Sequence, residues 1–169
     1  MNIVLLEPEI PANTGNIGRT CVATGSSLHL IKPLGFMLDE KHLRRAGMDY
    51  WKQIDLHLYE NYEEFCNINS GATVHFATTK GQKMYTEAQF GADDFIMFGK
   101  ESAGIPEEIL LAHPENCIRI PMQGGIRSLN LGNSVAVVLY EALRQNNFRG
   151  LEPTGHLHRL CWPGDEPST

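Results

Sequence analysis

The chain has no long apolar run, no clustered cysteines and a deficit of positive charge, and each shortage removes a class of function. Nothing in its 169 residues approaches the ~20 apolar positions that a membrane-spanning helix needs. The N-terminus enters a strand-like run at Asn2 without the charged and apolar stretches of a signal peptide, so the expected location is cytoplasmic and no membrane contact is foreseen. Cys21, Cys66, Cys117 and Cys161 are widely scattered and form no CxxC pair, which indicates neither a zinc site nor a redox motif. They read as reduced thiols, with Cys21 and Cys117 expected in the interior. His156 and His158 stand in a tail rich in Pro and Gly and read as solvent-facing, so no metal site is expected. The GxGxxG fingerprint is missing as well. After the first apolar run only Gly15 and Gly18 occur, and Pro8 and Pro11 stiffen the approach, which argues against NAD or FAD bound in the Rossmann manner.

Lysine and arginine number 14 against 20 acidic residues, a formal net charge of −6. Such a balance speaks against non-specific coating of nucleic acid, which depends on neutralising phosphates. A local basic patch remains open, because Lys41, Arg44 and Arg45 fall within five residues. A solvated helix face would explain those three equally well.

What is present is a soluble-domain composition, 42% hydrophobic and 20% charged, in a chain long enough to bury roughly 70% of its unfolded surface as one domain. The run Asn2–Glu7 reads as a buried strand. Asn13 and Thr14 are candidate caps for a helix from about Gly15 to Ala23, stopped by Gly25. Strands follow at Leu28–Ile31, Asp55–Tyr59, Thr73–Ala77, Phe95–Phe98 and Cys117–Ile120. Helices are expected over Asp39–Ala46, Asn61–Cys66, Glu107–Ala112 and from about Leu129 to Gln145. A polar connection joins Thr78 to Asp94. The alternation predicts an α/β fold with a mainly parallel sheet covered by helices on both faces. Residues 1–150 read as the domain and 151–169 as a loosely ordered tail. The last helix is apolar nearly all round through Val135–Leu139, so it needs cover on several sides, and a homodimer interface is the expected second cover.

Three polar clusters sit where strands end and helices begin, the usual place for ligands in open α/β folds. The first is Asn13, Gly15, Asn16 and Arg19, in which the asparagines can cap and the guanidinium can grip a phosphate in a bidentate manner. The second is Gly99–Pro106, in which two glycines allow close backbone approach and Glu101 can accept hydrogen bonds. The third runs from Ile120 to Asn133. Ser128 or Asn130 can cap the following helix, but Arg127 and Asn133 exceed what capping requires.

The stretches EPEIPANTGNIGRTC (Glu7–Cys21), LRRAGMDYW (Leu43–Trp51), FATTKG (Phe76–Gly81), FGKESAGIP (Phe98–Pro106) and IRIPMQGGIRSLNLGNSVAVVLYEALRQ (Ile118–Gln145) resemble, in this order, the SPOUT-class (trefoil-knotted) RNA methyltransferases. The likeness is greatest to the TrmL-like tRNA wobble-nucleotide 2′-O-methyltransferases. The resemblance implies a C-terminal deep trefoil knot, a rare exception to ordinary chain topology. It further implies S-adenosylmethionine bound by Ala77, Gly99, Glu101, Gly104, Ile120, Ser128 and Leu129. It places Arg19, Ser128 and Asn130 at the reaction and assigns RNA contacts to Asn13, Arg19, Arg44, Arg45 and Arg127. It implies a tRNA anticodon stem-loop as partner and a homodimer in which Arg19 faces the other subunit's cofactor. Lys100 and Ala103 replace the Pro and Arg of the FGPETRG form, and Gly132 stands where a serine is common. These departures bear on tRNA choice more than on catalysis. Competing readings are methylation of ribosomal RNA or another tRNA position, a non-catalytic RNA-binding dimer, and a small-molecule-binding α/β protein.

Overall fold

A computed structural model describes residues 1–37 and 49–163, so the helix expected over Asp39–Ala46 lies outside the described residues. Seven strands form one parallel sheet among them: β1 Asn2–Leu6, β2 Ser27–Ile31, β3 Leu56–Tyr59, β4 Val74–Ala77, β5 Lys83–Met84, β6 Phe95–Phe98 and β7 Cys117–Arg119, in the order β3-β2-β1-β6-β4-β7-β5. β1 lies in the interior of the sheet, with Leu5 level with Leu30 on one side and with Phe98 on the other. β7, although later in the chain, is inserted between β4 and β5.

The strands are apolar on both sides because both faces are covered. In β1, Ile3 and Leu5 enter one core while Val4 and Leu6 enter the other, and β6 divides Ile96 and Phe98 from Phe95 and Met97 in the same way. Helices α1 (Pro11–Thr24) and α4 (Leu131–Gln145) close the first face through Ile17, Cys21, Val135, Val138 and Leu139. Helices α2 (Tyr62–Ile68) and α3 (Glu107–Ala112) close the second through Phe65 and Leu110. Cys21 and Cys117 are buried, as foreseen, and burial pushes the Cys21 thiol up to about 12.

The start of α1 differs from expectation. Asn13 and Thr14 lie inside the helix, which opens at Pro11 after an extended Ile10 that has no side-chain cap of its own. Proline at the first helical position is the local signal, since its missing N–H would have had no helical partner anyway. The expected polar connection from Thr78 to Asp94 contains β5 and a 3₁₀ turn at Tyr85–Glu87. Beyond α4, Leu151 packs against the first core, and the described residues after it hold neither helix nor strand.

Candidate active site at the strand ends

Parallel strands deliver their C-terminal ends to one edge of the sheet, and the loops following β1, β4, β6 and β7 meet there beside the start of α4. They enclose a cavity of about 530 Å³, within the size range of small-molecule and cofactor sites. Phe98, Ile105, Ile118 and Val138 contribute apolar walls, and Asn13, Glu101, Ser128 and Asn130 bring polar groups to the same space.

The loop after β6 is built around two glycines. A Cβ on Gly99 would lie 2.1 Å from the carbonyl carbon of Gly104 and 2.2 Å from the nitrogen of Ile105. That overlap is with backbone, so no side chain fits. Gly104 has φ +73°, a left-handed conformation costly for other residues. Its amide donates to the Lys100 carbonyl at 2.8 Å and closes the turn.

This turn is buckled to the loop after β1 by carboxylates from both sides. Glu101 Oε2 accepts from the Glu9 amide at 2.8 Å, and its Oε1 accepts from the Ile10 amide at 3.3 Å and from Asn13 Nδ2 at 2.9 Å. Glu101 therefore supplies negative charge at an α1 N-terminus whose first turn has no acidic residue. In return Glu9 accepts from the hydroxyl and the amide of Ser102, both at 2.8 Å, and these two bonds hold its carboxyl below the usual carboxylate range. Lys100 Nζ lies 2.7 Å from Glu7 Oε2, and that carboxylate holds the ammonium above its ordinary value.

The third loop joins the other two through Asn130. Its side chain caps α4 by accepting from the Asn133 amide at 3.3 Å, and its Nδ2 donates to Asn13 Oδ1 at 3.0 Å. Of the two candidate caps for this helix, Asn130 is thus the one used. On the far rim, Lys80 pairs with Glu107 at 2.9 Å.

The residues singled out in the sequence are placed as follows. Ala77, Gly99, Glu101, Gly104, Ile120, Arg127, Ser128, Leu129, Asn130 and Asn13 all border the cavity. Arg19 is exposed on α1 and is not among the residues lining the cavity of its own chain. Arg44 and Arg45 lie outside the described residues. Tyr85 and Met122 also line the cavity. Met122 falls within the third cluster without having been singled out, whereas Tyr85 belongs to none of the three clusters and only the placement of its loop reveals it. Among the described residues, no group of three His, Cys, Asp or Glu side chains could hold a metal ion, and no helix is long and apolar enough to cross a membrane.

Comparison with known proteins agrees with this architecture. The tRNA (cytidine(34)-2'-O)-methyltransferase of Methylovorus glucosotrophus is 49% identical over 150 residues, covering 88% of this chain and 97% of that protein. A solved structure described as giving structural insights into the 2-OH methylation of C/U34 on tRNA superposes with a TM-score of 0.81 at 46% identity, covering 88% of this chain and 97% of the other. An AdoMet-bound rRNA methyltransferase from Sinorhizobium meliloti superposes with a TM-score of 0.73 at 27% identity, over 85% of this chain and 55% of the other. The match to the SpoU rRNA methylase family runs over residues 1–140, taking in every described strand and most of α4, so the chain belongs to that family.

Proposed function

We propose that this protein transfers a methyl group from S-adenosylmethionine to the ribose 2′-hydroxyl of the wobble nucleotide, cytidine or a modified uridine, in a tRNA anticodon loop. The observation that carries the reading is the convergence of three polar loops, tied together by Glu101, Asn13 and Asn130, on one cavity in a chain of this family. The cavity fits the cofactor: apolar walls suit an adenine ring, and a loop whose Gly99 excludes any side chain lets backbone approach a ligand closely. When bound, S-adenosylmethionine supplies an electrophilic methyl group on a sulfonium. Ala77, Gly99, Glu101, Gly104, Ile120, Ser128 and Leu129 are the residues assigned to its site.

The protein's own part is largely placement. In-line attack needs the oxygen about 3–3.5 Å from the methyl carbon, and holding it there supplies much of the rate. Ser128 and Asn130 orient the ribose. Arg19 binds the adjacent phosphate and stabilises the developing alkoxide; a guanidinium that stays protonated is suited to that and unsuited to act as a base. The proton leaves through that phosphate or a water. Arg44, Arg45 and Arg127 contact further phosphates of the stem-loop, whose splayed wobble base enters without duplex opening.

The reading includes a homodimer. Val137 and Tyr140, three apart on α4, are 38% and 48% exposed, an apolar face left open among the described residues. Pairing α1 and α4 with those of a second subunit covers it and carries the exposed Arg19 toward the other subunit's cavity. Residues 1–150 form the methyltransferase domain. The insertion of β7 between the earlier strands β4 and β5 is in keeping with the trefoil knot that the family implies. The proposed place of action is the cytoplasm, where the tRNA substrate would be met.

The test is transfer from labelled S-adenosylmethionine to unmodified total tRNA, with Arg19→Ala alongside and the labelled nucleotide identified. A 2′-O-methylated wobble nucleotide, absent with the variant, is expected. Label at another nucleotide overturns the substrate, and absence of both labelling and cofactor binding overturns the activity.

A further inference from the structure

Asn13 is committed inside the protein at both ends of its amide. It is 8% exposed, its Nδ2 donates to Glu101 Oε1 at 2.9 Å, and its Oδ1 accepts from Asn130 Nδ2 at 3.0 Å. An ionised carboxylate accepts hydrogen bonds and cannot donate them, so Glu101 dictates which way this amide points. Reversing Asn13 would set its oxygen against the carboxylate and its NH₂ against the NH₂ of Asn130. Asn130 is directed in turn: with its nitrogen turned to Asn13, its oxygen faces the Asn133 amide and caps α4. One negative charge in the loop after β6 thereby orders two amides, one in α1 and one at the start of α4. The same carboxylate holds the Glu9 and Ile10 amides where α1 begins.

We propose that Asn13 is a positioning residue for methyl transfer rather than an RNA contact. Through the relay Glu101–Asn13–Asn130 it holds the start of α4, with Ser128 and Asn130, in fixed register with α1, which carries Arg19. The proposal rests on the function given above. A side chain so enclosed, with donor and acceptor both engaged, has little to offer an incoming nucleotide. Its amide is used instead because one end must donate to a carboxylate while the other accepts from an asparagine. An aspartate would bring two carboxylates together, and a leucine of similar size would leave both neighbours unsatisfied.

The polarity of the relay gives a direct test in Asn13→Asp, Glu101→Gln and the double variant. Asn13→Asp removes the donor and sets two carboxylates within hydrogen-bonding distance. The double variant restores a donor–acceptor pair with the charge on the other partner. The new amide at position 101 donates to the new carboxylate at position 13, whose second oxygen still accepts from Asn130. The remaining oxygen of that amide keeps the bond from the Glu9 amide, while the longer one from the Ile10 amide, 3.3 Å, is given up. The readouts are kcat and KM for tRNA at saturating S-adenosylmethionine, with urea unfolding on each protein. Asn13→Asp is expected to lower kcat by at least about tenfold with KM for tRNA changed by less than about threefold, the pattern of misplaced reacting groups. The double variant is expected to regain at least about fivefold of the kcat lost in Asn13→Asp, as coupled neighbours do in a mutant cycle. A raised KM with kcat intact makes Asn13 an RNA contact and overturns the proposal. So does a double variant that fails to fold or that is no better than Asn13→Asp. Should Asn13→Asp itself not fold, recovery of folding and activity in the double variant decides in favour of the relay. Wild-type protein that methylates no tRNA overturns the underlying function, whereas active wild type with an unrescued double variant overturns the relay alone.

Discussion

At the scale of single residues, the firmest constraints lie where a side chain has no room or no water. Gly99 is the first case. Any Cβ there overlaps the Gly104–Ile105 backbone at 2.1–2.2 Å, so Gly99→Ala must displace the loop that walls the cavity and carries Glu101. Overpacking of this kind costs about 1–3 kcal/mol, and the displaced loop should weaken S-adenosylhomocysteine binding by at least about tenfold. Calorimetric titration beside urea unfolding checks both, and binding within twofold of wild type would show that the loop is not part of the cofactor site. His29 is the second case. It is 3% exposed in β2, with Nδ1 2.8 Å from the Tyr59 hydroxyl and Nε2 3.2 Å from Asn2 Oδ1. Since Asn2 Nδ2 donates to the Asp93 carbonyl, Asn2 Oδ1 is left to accept, and His29 is the neutral tautomer with its proton on Nε2. Burial first, and then neighbouring His57, push its pKa down from 6.5 to about 4. The unfolded chain therefore binds a proton below pH 6.5 that the folded one refuses until about 4. Stability from this group is complete above the higher value and is lost as pH falls through the window, by about 2 kcal/mol at pH 4.5. Urea unfolding at pH 7 and pH 4.5 should show this loss in wild type and lack it in His29→Asn. Equal losses in the two proteins would exclude His29 as the source.

At the scale of elements, α4 begins on a compromise. Gly132 sits in its first turn, where glycine is a poor helix former, yet a Cβ there would come within 3.3 Å of Asn130 Oδ1 and 3.7 Å of Asn16 Cβ. The close neighbour is the end of a side chain, which can yield by a few tenths of an ångström. The helical gain of up to about 1 kcal/mol should therefore outweigh the crowding. Gly132→Ala is expected to raise Tm by about 1–2 °C, and a fall in Tm would mean that the cap cannot move. Elements of this kind are readable in the sequence because their signals are local. The runs Phe95–Phe98 and Glu107–Ala112 are found at the bounds their patterns imply, and Asn61 caps α2 by accepting from the Glu64 amide. The start of α1 has a local signal in Pro11, but the negative charge that serves its N-terminus is not readable there, because it comes from Glu101, far along the chain. β5, two residues long, has no periodicity to read. The identities of the site residues are legible through motifs and resemblance. Their mutual bonding is not, since Asn13 meets partners 88 and 117 positions away and no local pattern encodes such a pairing.

At the scale of the whole molecule, one chain holds a cavity that its own Arg19 does not line. The residues proposed for catalysis are thus divided between Ser128 and Asn130 at the cavity and an arginine on the exposed side of α1, which meets a second subunit's cavity only if α1 and α4 together form the proposed dimer contact. α1 packs on α4 within the subunit, so the proposed dimer can use both helices in one contact, and in it two subunits with a formal charge of −6 each would gather their arginines around two sites. If Arg19 serves the partner's cavity, defects in Arg19 and Ser128 should complement each other across the interface. Arg19→Ala and Ser128→Ala homodimers should each be inactive. A mixed dimer, isolated by tandem purification through two different tags, contains one cavity with an intact Ser128 facing an intact Arg19 and one that lacks both. It should recover about half of the wild-type rate, as a two-fold symmetric pair with one working site requires. If Arg19 instead acts within its own subunit, every cavity in the mixed dimer lacks one group or the other, and the rate stays at the level of the single variants.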